Sequence, residues 1–208
     1  MFAPRSGRYL WVSAAGLALL TFGGLDAWVP GSWAVVGLLG AGWGLWVFFA
    51  VFFRDPDRGV GEGIVAAADG RVRAVETDGP WVTVSTFMNV YDVHVNRFPL
   101  DARVATVETA GRGARPAYRE DAHHNRRRHY LLETRVGPVE VIQMTGFVAR
   151  RLVSLVHPGE AHAKGARLGM ILLGSRVDVR LPSARVRVRV HVGDRLTAGV
   201  STIAEEIP

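Results

Sequence analysis

Gly174 and Ser175 stand together inside Leu168-Gly-Met-Ile-Leu-Leu-Gly-Ser-Arg-Val-Asp-Val-Arg-Leu-Pro182, an apolar run with strand character. A serine hydroxyl directly after a glycine can turn on the carbonyl of its own preceding peptide. Glycine has no Cβ, so it allows the strained backbone that such an attack requires. An ordinary Gly-Ser turn between two strands has the same sequence, and the pair taken alone favours that plainer alternative. Two further residues have side chains suited to moving protons. His94 lies in Asp92-Val-His-Val-Asn-Arg97, and Asp69 lies in Ala68-Asp-Gly-Arg-Val72, a tight turn leading into a strand. Their structural alternatives are a hydrogen-bonded strand histidine and a plain Asp-Gly turn. Arg150, Arg151 and Arg176 could pair with a phosphate or carboxylate. Surface charge, or an ion pair between Arg176 and Asp178, would use them equally well.

The elements that must position these residues fall into two parts. The chain has 208 residues, 49% of them hydrophobic, and its mean hydropathy of +0.15 is high for a purely soluble domain. The excess lies before residue 54. Residues 9–25 are apolar or small, and residues 33–53 contain no charge and are long enough to span a bilayer as a helix. Asp26, Pro30 and Gly31 mark a turn between them. The expectation is a membrane anchor over residues 1–53, a hairpin of two transmembrane helices at about 9–25 and 33–53. Gly40 and Gly44 supply GxxxG spacing, with Gly37, Ala41 and Ala50, for close helix approach. Arg5, Arg8, Arg54 and Arg58 flank the pair, while the connection carries only Asp26, which places both ends in the cytoplasm. A signal peptide or a re-entrant first segment is the alternative.

Residues 54–208 read as a mainly β domain, sandwich- or barrel-like. Short apolar segments, punctuated by Gly, Pro and Asp, predict strands near residues 64–67, 70–76, 81–86, 93–98, 102–109, 129–134, 139–145, 169–173, 177–181 and 186–191. The best helical candidate is 145–155. His157-Pro-Gly-Glu-Ala-His-Ala-Lys-Gly165 and Val192-Gly-Asp-Arg-Leu-Thr-Ala-Gly199 share a Gly-acid turn followed six residues later by another glycine. Such lipoyl-like half-motifs suggest an internal duplication. There is no cysteine, so disulfides and cysteine-metal sites are excluded, and the histidines show no metal-ligand spacing. The net charge is +6, almost all of it from arginine. With an anchor, that charge points first to anionic membrane lipids, as does the polar, arginine-rich segment 111–129. No nucleic-acid motif is present.

Five stretches, in order, resemble the short single-domain class of phosphatidylserine decarboxylases. They are Phe52-Phe-Arg-Asp-Pro-Asp-Arg58, Ala68-Asp-Gly-Arg-Val72, Phe87-Met-Asn-Val-Tyr-Asp-Val-His-Val-Asn-Arg-Phe-Pro99, Val141-Ile-Gln-Met-Thr-Gly-Phe-Val-Ala-Arg-Arg151 and Gly169-Met-Ile-Leu-Leu-Gly-Ser-Arg-Val-Asp178. The resemblance implies a proenzyme that cuts itself between Gly174 and Ser175 into a β-chain (1–174) and an associated α-chain (175–208). Ser175 would become a pyruvoyl cofactor, with no metal. That ketone would form a Schiff base with phosphatidylserine and accept the electrons released with CO2, giving phosphatidylethanolamine. Ser175, Gly174, His94 and Asp69 would be catalytic, with Arg176, Arg150 and Arg151 as substrate-binding candidates. Larger relatives carry two histidines in the stretch around His94; here Asn96 and Arg97 stand near the place of the second. The chain also departs from the family at Asn89-Val-Tyr91, where Ser-Pro-Leu is usual, and at Leu173, where an aromatic is usual. The expected location is the cell membrane, with the catalytic domain on the cytoplasmic side. A homo-oligomer, a related serine phospholipid as substrate, and a non-enzymatic membrane-anchored adaptor stay open alternatives.

Overall fold

The computed structural model describes residues 2–4, 6–22, 33–111, 125–146, 151–172 and 175–207, with Ser175 described through its backbone only. The chain divides into two compact units, Met1–Asp57 and Arg58–Pro208. Cleavage-site Gly174, substrate-binding candidate Arg150, and most of the arginine-rich segment lie outside the described residues.

The described residues of the first unit form two helices, α1 (Gly7–Phe22) and α2 (Trp33–Phe52). With 20 residues, α2 is about 30 Å long, enough for a hydrocarbon core, whereas the 16 residues of α1 give about 24 Å. The Trp46 indole donates to the Leu10 carbonyl (2.9 Å), and the Trp43 indole donates to Thr21 Oγ1 (3.3 Å). These bonds satisfy polar atoms inside the pair. The GxxxG expectation is corrected here. Gly37, Gly40 and Gly44 face open space, and Leu17 instead packs against Gly42, where an added Cβ would lie 3.1 Å from its methyl.

The described residues of the second unit form fourteen strands: β1 (Ile64–Val65), β2 (Gly70–Asp78), β3 (Trp81–Met88), β4 (Val95–Arg97), β5 (Ala102–Ala110), β6 (Arg127–Thr134), β7 (Gly137–Thr145), β8 (Leu152–Ser154), β9 (Ala161–His162), β10 (Arg167–Ile171), β11 (Ser175–Pro182), β12 (Val186–Val188), β13 (Arg195–Leu196) and β14 (Thr202–Glu206). They form an eight-stranded sheet ordered β13-β2-β3-β11-β7-β6-β5-β9 and two three-stranded sheets, β1-β14-β12 and β4-β10-β8. None closes into a barrel. Alternating apolar residues from the strands, among them Val84, Leu132, Val139, Val141, Val177, Val179 and Leu181, fill the core between sheets. The helix expected at 145–155 is not formed: Thr145 ends β7 and Leu152–Ser154 pairs with β10 as a strand. The strand expected at 186–191 stops at Val188.

Read by pairing, this is one seven-strand arrangement present twice. Strands β4 to β10 form one half. The other consists of β1, β2 and β3 and then, after the whole of the first half, β11 to β14. Each pairing recurs, and each half carries a bulge at the same place, Val72/Ala74 in β2 and Val104/Thr106 in β5. Gly159 N–H bonds Val104 O and Val104 N–H bonds Glu160 O; Gly193 N–H bonds Val72 O and Val72 N–H bonds Asp194 O. The two Gly-acid segments thus occupy equivalent places, and Gly159, Gly165, Gly193 and Gly199 all take positive φ (91°, 80°, 97° and 78°). The halves bond reciprocally through Val65 N–H to Pro99 O (3.0 Å) and Arg97 N–H to Ala67 O (2.9 Å).

Candidate active site

Insertion of one half into the other means that the chain crosses between the halves twice, and the described candidate residues are placed relative to those crossings as follows. The chain leaves the outer half after Met88 and returns at Ser175, and these two residues are register partners in the β3–β11 ladder. On its other side Ser175 pairs with Thr145 of β7. Ser175 is therefore the first residue of a central strand hydrogen-bonded on both edges, with eight register partners in β3 and six in β7.

His94 lies on the outgoing crossing and is fully buried. Its carbonyl accepts the Ile171 N–H (3.2 Å), which ties it to the end of β10. Its ring Nδ1 lies 2.8 Å from the Asp92 carbonyl. A carbonyl only accepts, so in the neutral ring the proton sits on Nδ1 and Nε2 is the basic nitrogen.

Asp69 precedes Gly70, whose φ is 141° and whose backbone lies so close to Phe87 O that a Cβ would come within 2.1 Å. No other residue fits that approach. It holds the start of β2 against the end of β3, next to the Met88–Ser175 pair. The Asp69 carboxylate accepts two bonds from Arg58 (2.5 and 2.8 Å) and one from the Ala198 N–H (2.8 Å). The carboxyl group is thus fixed in place by a bidentate guanidinium, one strand removed from β11.

Arg176 donates to Asp178 Oδ1 (2.7 Å) and to Ser85 Oγ (2.9 Å). Burial raises the Asp178 pKa, and the charge of Arg176 opposes that rise. This places Arg176 in an internal ion pair of the sheet, the structural alternative anticipated for it. Arg151 is exposed, and its carbonyl accepts the Leu172 N–H (3.2 Å), so it borders the returning crossing.

The comparisons with known proteins concern the chain as a whole. A profile of the phosphatidylserine decarboxylase family matches residues 45–204. A protein of Aromatoleum aromaticum named phosphatidylserine decarboxylase proenzyme is 41% identical over 177 residues, covering 80% of this chain and 81% of its own. Proteins of the same name from Streptomyces griseus (39% identity; 83% and 80% covered) and Burkholderia mallei (40%; 83% and 86%) are similar to it to the same degree. The chain belongs to the phosphatidylserine decarboxylase family.

Three of the five family stretches converge on the crossings, and they bring two residues to which the sequence assigned no role. Within the buried interior, Tyr130 Oη donates to Gln143 Oε1 (3.1 Å), Gln143 Nε2 to Asn96 Oδ1 (2.7 Å), and Asn96 Nδ2 lies 3.7 Å from Met88 Sδ. This chain spans β6, β7, β4 and β3, and so fixes the strand after His94 against the sheet that carries Ser175. Gly169 makes room for it: a Cβ there would lie 2.7 Å from Tyr130 Oη and 2.9 Å from Gln143 Nε2. Polar residues inside otherwise apolar strand patterns were the available signal. Arg97, near the position of the second family histidine, donates to the Gly165 carbonyl (3.0 Å).

Proposed function

We propose that the chain is the proenzyme of a membrane-tethered phosphatidylserine decarboxylase, a carboxy-lyase that converts phosphatidylserine to phosphatidylethanolamine and CO2. The observation that supports this reading, beside family membership, is that Ser175 pairs with Met88 at the point where the inserted half begins, and that buried His94 follows six residues after Met88 and bonds β10 through its carbonyl.

Maturation would begin with attack of Ser175 Oγ on the Gly174 carbonyl carbon, with transfer of the acyl group from nitrogen to oxygen. Elimination then releases the Gly174 carboxylate and leaves dehydroalanine, which takes up water and loses ammonia to give the pyruvoyl group. The pyruvoyl group supplies a carbonyl that binds the substrate amine and takes up the electron pair left by CO2. The fold suits a cut at this place. The proposed scissile bond precedes Ser175, so cleavage sacrifices none of the pairings among the described residues, and β11 stays held by β3 and β7. The α-chain (175–208) would thus remain bound to the β-chain (1–174). His94, with Nε2 as its basic nitrogen, is the group we assign to proton transfer with Ser175 or the substrate. Asp69, held by Arg58 and the Ala198 N–H, is the carboxylate we assign to orienting the reacting groups. Arg151 is the exposed cation at the returning crossing that could meet an anionic headgroup.

The α2 helix, with mean hydropathy 2.0 and 6% of its apolar window buried, would tether the protein to the cell membrane. The arginine pattern around the helices would place the catalytic unit on the cytoplasmic side. Release of CO2 from carboxyl-labelled phosphatidylserine by the purified chain tests the activity. The reading expects release by the unsubstituted chain and none by Ser175→Ala; release by the variant would refute it.

A further inference from the structure

The end of the sheet where Ser175 begins β11 also carries an apolar and basic surface that neither catalysis nor the core requires. Residues 89–92 form a tight turn closed by Asp92 N–H to Asn89 O (3.0 Å) and Asn89 N–H to Asp92 Oδ2 (2.8 Å). The turn directs Val90 and Tyr91 outward, 48% and 57% exposed, although Met88 before it and Asp92 after it are buried. The neighbouring turn exposes Val192 by 65%. Val192 and Tyr91 are the two most exposed large apolar side chains among the described residues of this unit. Two arginines flank the turns. Arg71 donates to Gly193 O (2.9 Å), and Arg195, 67% exposed, lies 3.7 Å from Asp92 Oδ1. At the equivalent end of the other half Val136 is buried, and Pro158 stands in the place of Val192.

We infer that Val90, Tyr91 and Val192, flanked by Arg71 and Arg195, form a docking face that dips into the interface of an anionic bilayer. This rests on the lipid-substrate reading above and adds the orientation in which the substrate is taken. Aromatic and aliphatic tips beside arginines suit the headgroup boundary, where the rings bury and the guanidiniums meet phosphate. A serine headgroup cannot travel far from its acyl chains, so the face nearest Ser175 must meet the membrane. The same turn also supplies the carbonyl that holds His94 Nδ1, so docking and the proton-transfer residue share one four-residue element.

The cysteine-free chain allows a direct test on the full-length protein. Val90→Cys and Val192→Cys are labelled with an environment-sensitive fluorophore and reconstituted in phosphatidylcholine–phosphatidylglycerol vesicles carrying a shallow nitroxide lipid. Asp78→Cys, exposed on the β2–β3 hairpin at the far end of the sheet, is the control. Quenching should be several-fold stronger at 90 and 192 than at 78. Equal quenching overturns the inference, as does a blue shift that depends on protein concentration without vesicles, which would assign the face to a second copy. In a second arm, Val90→Asp should lower the rate on bilayer phosphatidylserine, relative to a dispersed short-chain phosphatidylserine, about tenfold. An unchanged ratio overturns the inference. Failure of the activity itself shows separately, as absence of decarboxylation in the unsubstituted chain, while the quenching pattern still reports the face.

Discussion

The two halves of the β unit share their framework and differ at one junction. In the inner half, β6 turns directly into β7 through Arg135 and Val136, and the Gly137 that starts β7 takes a φ of 105°. In the outer half the corresponding strands, β3 and β11, are not joined. Ser175 stands where the register of the inner half places Gly137, and an entire half is inserted between it and Met88. The acidic caps show the same split. Asp101 accepts the Lys164 N–H (2.7 Å) as Asp69 accepts the Ala198 N–H (2.8 Å), so capping belongs to the fold. The second partner of Asp69, Arg58, belongs to the outer half alone. A surface cleft of about 610 Å3, bordered by Asp101, Arg103, Glu133 and His162, occupies the equivalent place in the inner half. It has the cap and no serine. On the proposed reading, a duplicated architecture carries its chemistry where a hairpin has been opened, in the copy without this cleft.

The largest expected effect is that of Ser175→Ala, which should abolish chain cleavage entirely, read on a denaturing gel. Next, Asp69→Asn and Asp101→Asn should each lose stability of about 1 kcal/mol from a weakened cap, measured by denaturant titration. Only Asp69→Asn should slow cleavage or turnover, by roughly tenfold, as expected for loss of a fixed charge worth about one pKa unit. Equal kinetic effects would erase the distinction between the copies. Asp178 and Glu140 also occupy equivalent places, but Asp178 is the more buried. Asp178→Ala should cost about 3 kcal/mol by stranding Arg176, against roughly 1 kcal/mol for Glu140→Ala. Gln143→Leu removes the middle of the buried polar chain and should cost about 1–3 kcal/mol. It should also slow cleavage, and a Gln143→Leu chain that cleaves at the normal rate would dissociate that network from the site. The smallest effects concern pH. Burial raises the Asp178 pKa in the fold, so its contribution to stability is complete below its unfolded value and fades as pH rises through the folded one. Glu160 behaves oppositely. The His157 backbone N–H, helped by His162 and His157, lowers its pKa to about 2, so its contribution is present above the unfolded value and disappears as pH falls toward 2. Glu160→Gln should therefore flatten the acid limb of a stability–pH curve, and an unchanged limb would dismiss that cluster.

Much of this was legible before any coordinates. Period-two runs around Val84, Val141 and Val179 marked the strands because both faces of the large sheet demand alternation. The paired Gly-acid turns announced the duplication because only glycine tolerates those positive φ values. The nesting of one half in the other was not legible, since strand order depends on long-range pairing that local pattern does not encode. For the same reason Gln143 and Asn96 passed as strand residues, and Gly42, outside any GxxxG spacing, took the helix contact expected of Gly40 and Gly44. The candidate helix at 145–155 failed because Leu152–Ser154 finds a partner in β10 that outweighs its local periodicity.

Intact-mass measurement of the freshly purified protein under denaturing conditions tests the central claim most directly. Two polypeptides are predicted, one ending at Gly174 and one of residues 175–208 whose first residue carries a ketone in place of an amine. A single continuous chain of 208 residues with an unmodified serine at 175 would contradict it.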